Sequence, residues 1–157
     1  MKNIKIERAL QNDLSLMQRL FYQTVTSFGV KVFTDEEVKI YSRLALDKNH
    51  WFKKFEEEYI YNAKLNGEIL GSFNMNKDGF IEYIFVDMNY QGKGIANKLY
   101  QKIEEIAIQE SIQVLSTNIN ALTKIFFEKK GFEIIKNSTQ VVGGEEVVTL
   151  KAVKNLF

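Results

Sequence analysis

Six consecutive residues, Gln91-Gly92-Lys93-Gly94-Ile95-Ala96, carry the clearest chemistry in this chain. They follow an apolar run, Phe80 to Val86, and open a segment whose apolar residues recur at helical spacing. Glycines at a helix N-terminus let backbone N–H groups close on an anion, and the helix dipole favours negative charge there. Lys93 adds a full positive charge. The pattern points to a phosphate or pyrophosphate held at the end of a strand. Two further side chains have the chemistry of proton transfer. Glu82 sits inside Phe80-Ile81-Glu82-Tyr83-Ile84-Phe85-Val86, otherwise wholly apolar. A carboxylate among apolar neighbours has its pKa raised, which suits a general base taking a proton from an ammonium group. The competing reading of Glu82 is a solvent-facing or structural strand position. His50 is the single imidazole of the chain. It is suited to act as a base or to bind a carboxylate, or it is simply exposed or packed.

These groups need elements to position them. Ile4 to Arg8 alternates apolar and charged residues, as an edge or half-buried strand does. Asp13 is placed to cap a helix carrying Leu14, Met17, Leu20 and Phe21. Thr34 is a second cap, with Glu37 in capping-box spacing, before a helix carrying Val38, Tyr41, Leu44 and Ala45. The stretch from His50 to Phe55 is aromatic-rich and reads as neither helix nor strand. A meander follows: Tyr59 to Leu65, a turn at Asn66-Gly67, Glu68 to Met75, a turn at Lys77-Asp78-Gly79, then Phe80 to Val86. Ile95, Leu99, Ile103 and Ile106 mark one face of a helix. Val114 to Thr117 reads as a short strand, and Leu122 to Lys130 as a helix ended by Gly131. Phe132 to Thr139 and Glu145 to Lys151 close the chain as a hairpin around Gly143-Gly144. This order gives an α/β (mixed α+β) fold: a central, mostly antiparallel mixed sheet of about seven strands flanked by about four helices. One domain spanning residues 1–157 is expected from the length.

Composition narrows the function classes. Lys plus Arg is 21 and Asp plus Glu is 20, so there is no basic excess of the kind nucleic-acid binding needs. With no cysteine and one histidine, cysteine nucleophiles, disulfides, thiolate sites and multi-histidine metal centres are excluded, and no metal is expected. No apolar run approaches the ~18 residues of a membrane span. The stretch Met1 to Glu7 lacks the apolar core of a signal peptide. A cytoplasmic protein, with no membrane or nucleic-acid partner, is expected.

Known phosphate motifs discriminate further. A P-loop needs Gly-x-x-x-x-Gly-Lys-Ser/Thr, which no stretch supplies. A dinucleotide fingerprint starting at Gly92 requires glycine at position 97, which is Asn97. The kinase glycine loop fails for the same reason. Gln-x-x-Gly-x-Ala fits, through Gln91, Gly94 and Ala96. It stands after the strand end Phe85-Val86-Asp87 and before a helix, a short strand, Asn120 and Phe126-Phe127-Glu128-Lys129-Lys130-Gly131-Phe132.

This combination resembles the GNAT superfamily of acetyl-CoA-dependent N-acetyltransferases, in element order over nearly the whole chain and specifically over residues 80 to 132. The resemblance implies an acyl-CoA N-acyltransferase-like fold and acetyl-CoA as co-substrate. It implies that the backbone of Gln91, Gly92, Lys93, Gly94, Ile95 and Ala96 wraps the CoA pyrophosphate. It implies that the main chain of Phe85 and Val86 pairs with the pantetheine arm, and that Asn120 contacts that arm. One of Lys124, Lys129 and Lys130 is placed for the CoA 3′-phosphate, or all three are ordinary surface lysines. The aromatic N-terminal third, with Phe28, Phe33, Tyr41, Trp51, Phe52 and Phe55, is a substrate wall or plain core. Glu56-Glu57-Glu58 draws an amine or is a solvated face.

Two departures stand out. Met88 replaces the usual proline after Asp87. Phe127 stands where the family commonly has a tyrosine whose hydroxyl protonates the leaving thiolate, a role worth roughly 10²–10⁴ in rate. Phe127 thus belongs to the cofactor wall but cannot donate a proton. The preferred reading is acetyl transfer from acetyl-CoA to a primary amine of a small molecule or peptide by a monomer or homodimer, with Glu82 as base. Without a cysteine, a covalent enzyme intermediate is disfavoured. A second reading is a CoA- or acyl-CoA-binding sensor or interaction module without turnover. A third, acylation of a protein or an aminoacylated RNA, is opposed by the near-neutral charge.

Overall fold

The computed structural model describes residues 3–142 and 144–157. Met1, Lys2 and Gly143 lie outside the described residues, and with them part of the N-terminal reading and half of the Gly143-Gly144 turn. Among the described residues, seven strands form one sheet in the order β1-β2-β3-β4-β5-β7-β6. The strands are β1 (Lys5–Arg8), β2 (Tyr59–Leu65), β3 (Glu68–Met75), β4 (Phe80–Val86), β5 (Val114–Ile119), β6 (Glu133–Val142) and β7 (Glu145–Asn155). All neighbours pair antiparallel except β4 and β5. This is the acyl-CoA N-acyltransferase-like architecture expected from the sequence.

Among the described residues, five α-helices flank the sheet: α1 (Leu14–Gln23), α2 (Asp35–Ala45), α3 (Lys48–Glu57), α4 (Ile95–Gln109) and α5 (Lys124–Lys129). The expected count was about four; α3 is the addition. Asp47 caps it by accepting from the His50 N–H (3.2 Å). Its aromatic residues hide a helical pattern in which only Trp51 is fully buried. The α2 capping box forms as expected, with Thr34 Oγ1 accepting from the Glu37 N–H at 3.1 Å and Glu37 Oε1 accepting from the Thr34 N–H at 3.1 Å. Asp13 does not cap α1. Its carboxylate accepts from the Leu10 N–H (2.9 Å) and from Lys64 Nζ on β2 (3.1 Å), tying the helix entry to the sheet. The α5 helix is shorter than the pattern predicted, because residues 120–123 form a turn held by Asn120. Gly131 ends it at φ +91°, as a C′ residue does.

The sheet separates two buried clusters. On one face lie Ile95, Leu99, Ile103 and Ile106 of α4, each at most 4% exposed, against Phe73, Ile81, Leu115 and Phe127. Burial of each such side chain contributes about 1.5–3 kcal/mol. On the other face, Met17, Leu20 and Phe21 of α1, Ile40 and Leu44 of α2, and Trp51 of α3 pack on Ile60 and Phe85. Between α1 and α2 the chain runs through a π-helical turn, Thr24–Phe28, and a 3₁₀ turn, Gly29–Lys31. A π turn widens the helix, and such turns recur at functional sites.

Candidate active site

The site is built where β4 and β5 part. The two strands pair only at Phe80 with Ser116 and Ile81 with Thr117. Thr117 Oγ1 donates to the Ile81 carbonyl at 2.8 Å and closes the apex of this fork. Beyond it β4 continues to Val86 without β5 beside it. The Asp87 N–H donates to the Leu70 carbonyl at 2.7 Å. By the alternation of an antiparallel pair, Phe85 then exchanges its N–H and C=O with Ser72, while the N–H groups of Ile84 and Val86 face the opened side. The Val86 carbonyl on that side accepts from Gln91 Nε2 at 2.8 Å, which moors the glycine loop to the strand end.

A cavity of about 300 Å³ runs through the fork. Val86, Gln91, Ala96, Asn120, Phe126 and Phe127 line one end, and Phe21, Phe28, Phe33, Tyr41, His50 and Glu82 line the other. At the first end α4 begins. Gly92 and Gly94 have φ of +75° and +81°, in the left-handed region, and a Cβ at either would point into open space. Glycine is therefore required by the backbone conformation and not by crowding. No side chain caps α4, and the Lys98 N–H is the first to find a carbonyl within the helix, that of Gly94 (3.1 Å). The N–H groups of Ile95, Ala96 and Asn97 are thus the first-turn donors that an α-helix leaves to other acceptors. An anion is the natural acceptor.

Asn120 lines the cavity, but its Oδ1 is committed to the turn before α5, accepting from the Leu122 N–H (2.9 Å) and from the Thr123 hydroxyl (3.3 Å). Phe127 is 1% exposed and packs edge-on against Phe126 and Phe132, with ring centroids 5.4 and 5.0 Å away. It is apolar wall.

At the other end the sequence misjudged the surroundings of Glu82. Its neighbours in sequence are apolar, yet its neighbours in space are polar. Glu82 pairs with Lys54, Asn74 Nδ2 donates to it at 3.5 Å, and its Oε1 lies 3.7 Å from His50 Nε2. The reason is a β-bulge. Asn74 faces Tyr83 and Met75 faces Ile81, so Glu82 is the extra residue on β4. A bulge breaks strand alternation. Here it turns Glu82 and Tyr83, adjacent in sequence, to the same side of the sheet, and Asn74 Oδ1 accepts the Tyr83 N–H at 2.8 Å.

The cluster extends further. Lys54 also bonds Glu58 (3.3 Å), which accepts from Asn74 Nδ2 (2.8 Å). Burial pulls the Lys54 ammonium down, but the charges and hydrogen bonds of Glu82 and Glu58 more than offset this, and its pKa is raised. Burial, reinforced by Glu82 and only partly countered by Lys54, raises the Glu58 carboxyl. Of the acidic run, Glu56 and Glu57 are exposed and Glu58 alone turns inward. His50 Nε2 lies 3.1 Å from the Tyr83 hydroxyl. Burial lowers its pKa below 6.5, with Glu82 partly opposing and Lys54 assisting. The imidazole is therefore uncharged near neutral pH. Tyr83 stacks on Trp51 at 5.5 Å, and burial raises its phenol well above the usual value.

Sequence reasoning missed Lys54, Asn74 and Ile84, and gave Tyr83, near the site in sequence, no role. The one available signal was the helical spacing of Lys54 and Glu58. Of the aromatic third, Phe28, Phe33 and Tyr41 line the cavity, Trp51 is buried behind it, and Phe52 is 47% exposed. Among the described residues, no group of three or more His, Asp or Glu side chains is arranged to hold a metal, and no helix is long and apolar enough to cross a membrane.

This is a sheet opened between two parallel strands, with the uncapped start of α4 at one end and a protonatable cluster at the other. The family to which this geometry corresponds is met in sequence as well. The sequence model of the Acetyltransferase (GNAT) family matches residues 21–132, more than half of the chain, and the chain belongs to that family. No curated protein sequence matches it. In structure it is similar to a GCN5-related N-acetyltransferase from Rhodopseudomonas palustris, with a TM-score of 0.91, 18% identity, and 99% of this chain and 98% of that one covered. It is also similar to the PaiA N-acetyltransferase from Thermoplasma acidophilum, solved in complex with coenzyme A (TM-score 0.79, 14% identity, 98% and 99% covered). A third similar structure is the yncA protein from Salmonella typhimurium, solved with its cofactor acetyl-CoA (TM-score 0.65, 18% identity, 99% and 95% covered). At these identities the likeness is one of fold.

Proposed function

We propose that this protein transfers an acetyl group from acetyl-CoA directly to a primary amine of a small molecule or peptide. The observation that carries the reading is the continuous cavity through the β4–β5 fork, which joins an anion-binding helix start to a carboxylate and an uncharged imidazole. The backbone of Gln91 to Ala96 takes the pyrophosphate. The pantetheine arm lies in the fork against the main-chain groups of Ile84 and Val86; those of Phe85, expected from the sequence to take part, face β3 instead. Phe127 supplies apolar wall, and the Asn120 amide group offers a donor to the arm. The acetyl thioester then points toward Glu82 and His50.

In this reading Glu82 receives the ammonium of the acceptor, and the Glu82–His50 pair removes its proton. Lys54 holds one oxygen of Glu82, which makes that carboxylate a better anchor than sole base, whereas the uncharged His50 has a nitrogen free of positive charge to accept the proton. Glu82, 3.7 Å away, then stabilises the imidazolium. The freed amine attacks the thioester carbonyl, the C–N bond forms, and the C–S bond breaks. The N–H of Val86 or Ile84, fixed in the strand, offers the oxyanion a preorganised donor. One proton of the ammonium leaves through His50 to solvent and a second ends on the CoA sulfur. No side-chain acid stands at Phe127. The chain has no cysteine, which favours direct transfer over a thioester-enzyme intermediate.

The test is a calorimetric titration with CoA beside a thiol-release assay with acetyl-CoA and primary amines. Stoichiometric CoA binding and amine-dependent thiol release are expected. Absence of CoA binding overturns the reading. CoA binding without release on any amine supports instead a non-catalytic acyl-CoA-binding module, which the missing hydroxyl at Phe127 favours.

A further inference from the structure

We infer that the acceptor is a hydrophobic monoamine: a primary amine on an aromatic or bulky apolar body that carries no carboxylate. The inference rests on the acetyl-transfer reading and narrows its acceptor. The acceptor end of the cavity is walled by Phe21, Val25, Phe28, Phe33, Tyr41 and Leu44. The stacked pair of Phe33 and Tyr41, with centroids 5.1 Å apart, fixes part of that wall. Aromatic walls of this kind take an apolar body and favour a cation over a ring face.

Charge then sets the head group. Among the described residues lining the cavity, Glu82 is the single formally charged side chain, and no lysine or arginine lines it. Lys54, the cation beside Glu82, is committed to both Glu82 and Glu58. The cavity wall at this end therefore carries one formal negative charge, that of Glu82. An ammonium is drawn to it. An acceptor carboxylate meets no lysine or arginine on the cavity wall, and its juxtaposition with Glu82 is strongly disfavoured. A second ammonium, as in a polyamine, finds no second carboxylate on the aromatic wall.

The test compares phenethylamine, L-phenylalanine and L-phenylalaninamide, which share a benzyl body, with spermidine and an aminoglycoside. The readout is thiol release from acetyl-CoA, run beside calorimetric CoA titration. Phenethylamine is expected to have the highest kcat/KM, phenylalanine a value lower by on the order of 100-fold, and phenylalaninamide to recover most of the loss. With CoA binding intact, phenylalanine within threefold of phenethylamine, an amide as poor as the acid, or a preference for spermidine or the aminoglycoside overturns the inference and leaves acetyl transfer standing. CoA binding without turnover on any amine overturns the inference together with transfer. Failure to bind CoA overturns the cofactor site itself.

Discussion

Replacing Glu82 by glutamine removes a charge and almost no volume, and its effect follows from the cluster. In the proposed reaction an acceptor ammonium approaches a carboxylate whose side chain is 25% exposed. At about 4 Å and an effective dielectric of about 20, their attraction is roughly 4 kcal/mol. Desolvation of both partners reduces this, and hydrogen bonds to charged groups retain about 1.5–3 kcal/mol net. At about 1.4 kcal/mol per tenfold change, E82Q is expected to lower kcat/KM for the amine by roughly 10- to 150-fold. The fold should survive, because Lys54 keeps Glu58 at 3.3 Å and the glutamine carbonyl still accepts from Lys54. A second readout follows from sign. Glu82 raises the His50 pKa against the larger effect of burial, so its removal moves the acid limb of the pH–rate profile to lower pH. The assay is steady-state thiol release across pH, with CoA affinity measured in parallel. A kcat/KM within twofold of the parent, or an unmoved acid limb, refutes the assignment of Glu82. An equal loss of CoA affinity refutes the placement of this cluster at the acceptor end.

The remaining predictions concern His50 and a core position. Because His50 is held below 6.5, parent activity should stay level through neutral pH and fall only below 6.5. In H50Q that limb should vanish and the rate drop by roughly 10²–10⁴. The same downward shift favours the folded state above pH 6.5 and removes stability as pH falls through the lowered pKa; urea melts of H50Q should lose that dependence. Asn62 on β2 is fully buried, and neither its Oδ1 nor its Nδ2 has a hydrogen-bond partner among the described residues. An unsatisfied buried polar group costs about 1–3 kcal/mol, so N62L should raise unfolding free energy by on the order of 1 kcal/mol with kcat/KM unchanged. A destabilised N62L in urea melts argues that the amide is satisfied.

The sequence by itself determined the elements whose signals are local. Asn66-Gly67 takes φ of +51° and +82°, as the hairpin between β2 and β3 requires, and both strands keep their expected bounds. The 3.6-residue period of Ile95, Leu99, Ile103 and Ile106 locates α4, and Gly92 and Gly94 mark the loop that opens it. These follow from backbone conformations that few residues tolerate and from one face of a helix seeking the core. The α3 helix escaped because an exposed aromatic residue, Phe52, beside the buried Trp51 blurs the period. The sequence singled out Glu82 and His50, but their surroundings were decided by tertiary structure. Glu82 is polar in its surroundings because a bulge adds one residue to β4, and alternation along a strand cannot reveal a bulge whose cause is pairing with β3. His50 and Lys54 come from α3, Glu58 from the residue that ends it, and Asn74 from β3; packing on one face of the sheet brings them to Glu82. Burial of that cluster sets the His50 pKa, and burial is a property of the assembled layers. The cavity exists because β4 and β5 pair over two residues and then part, a separation that becomes legible only when both strands are in place.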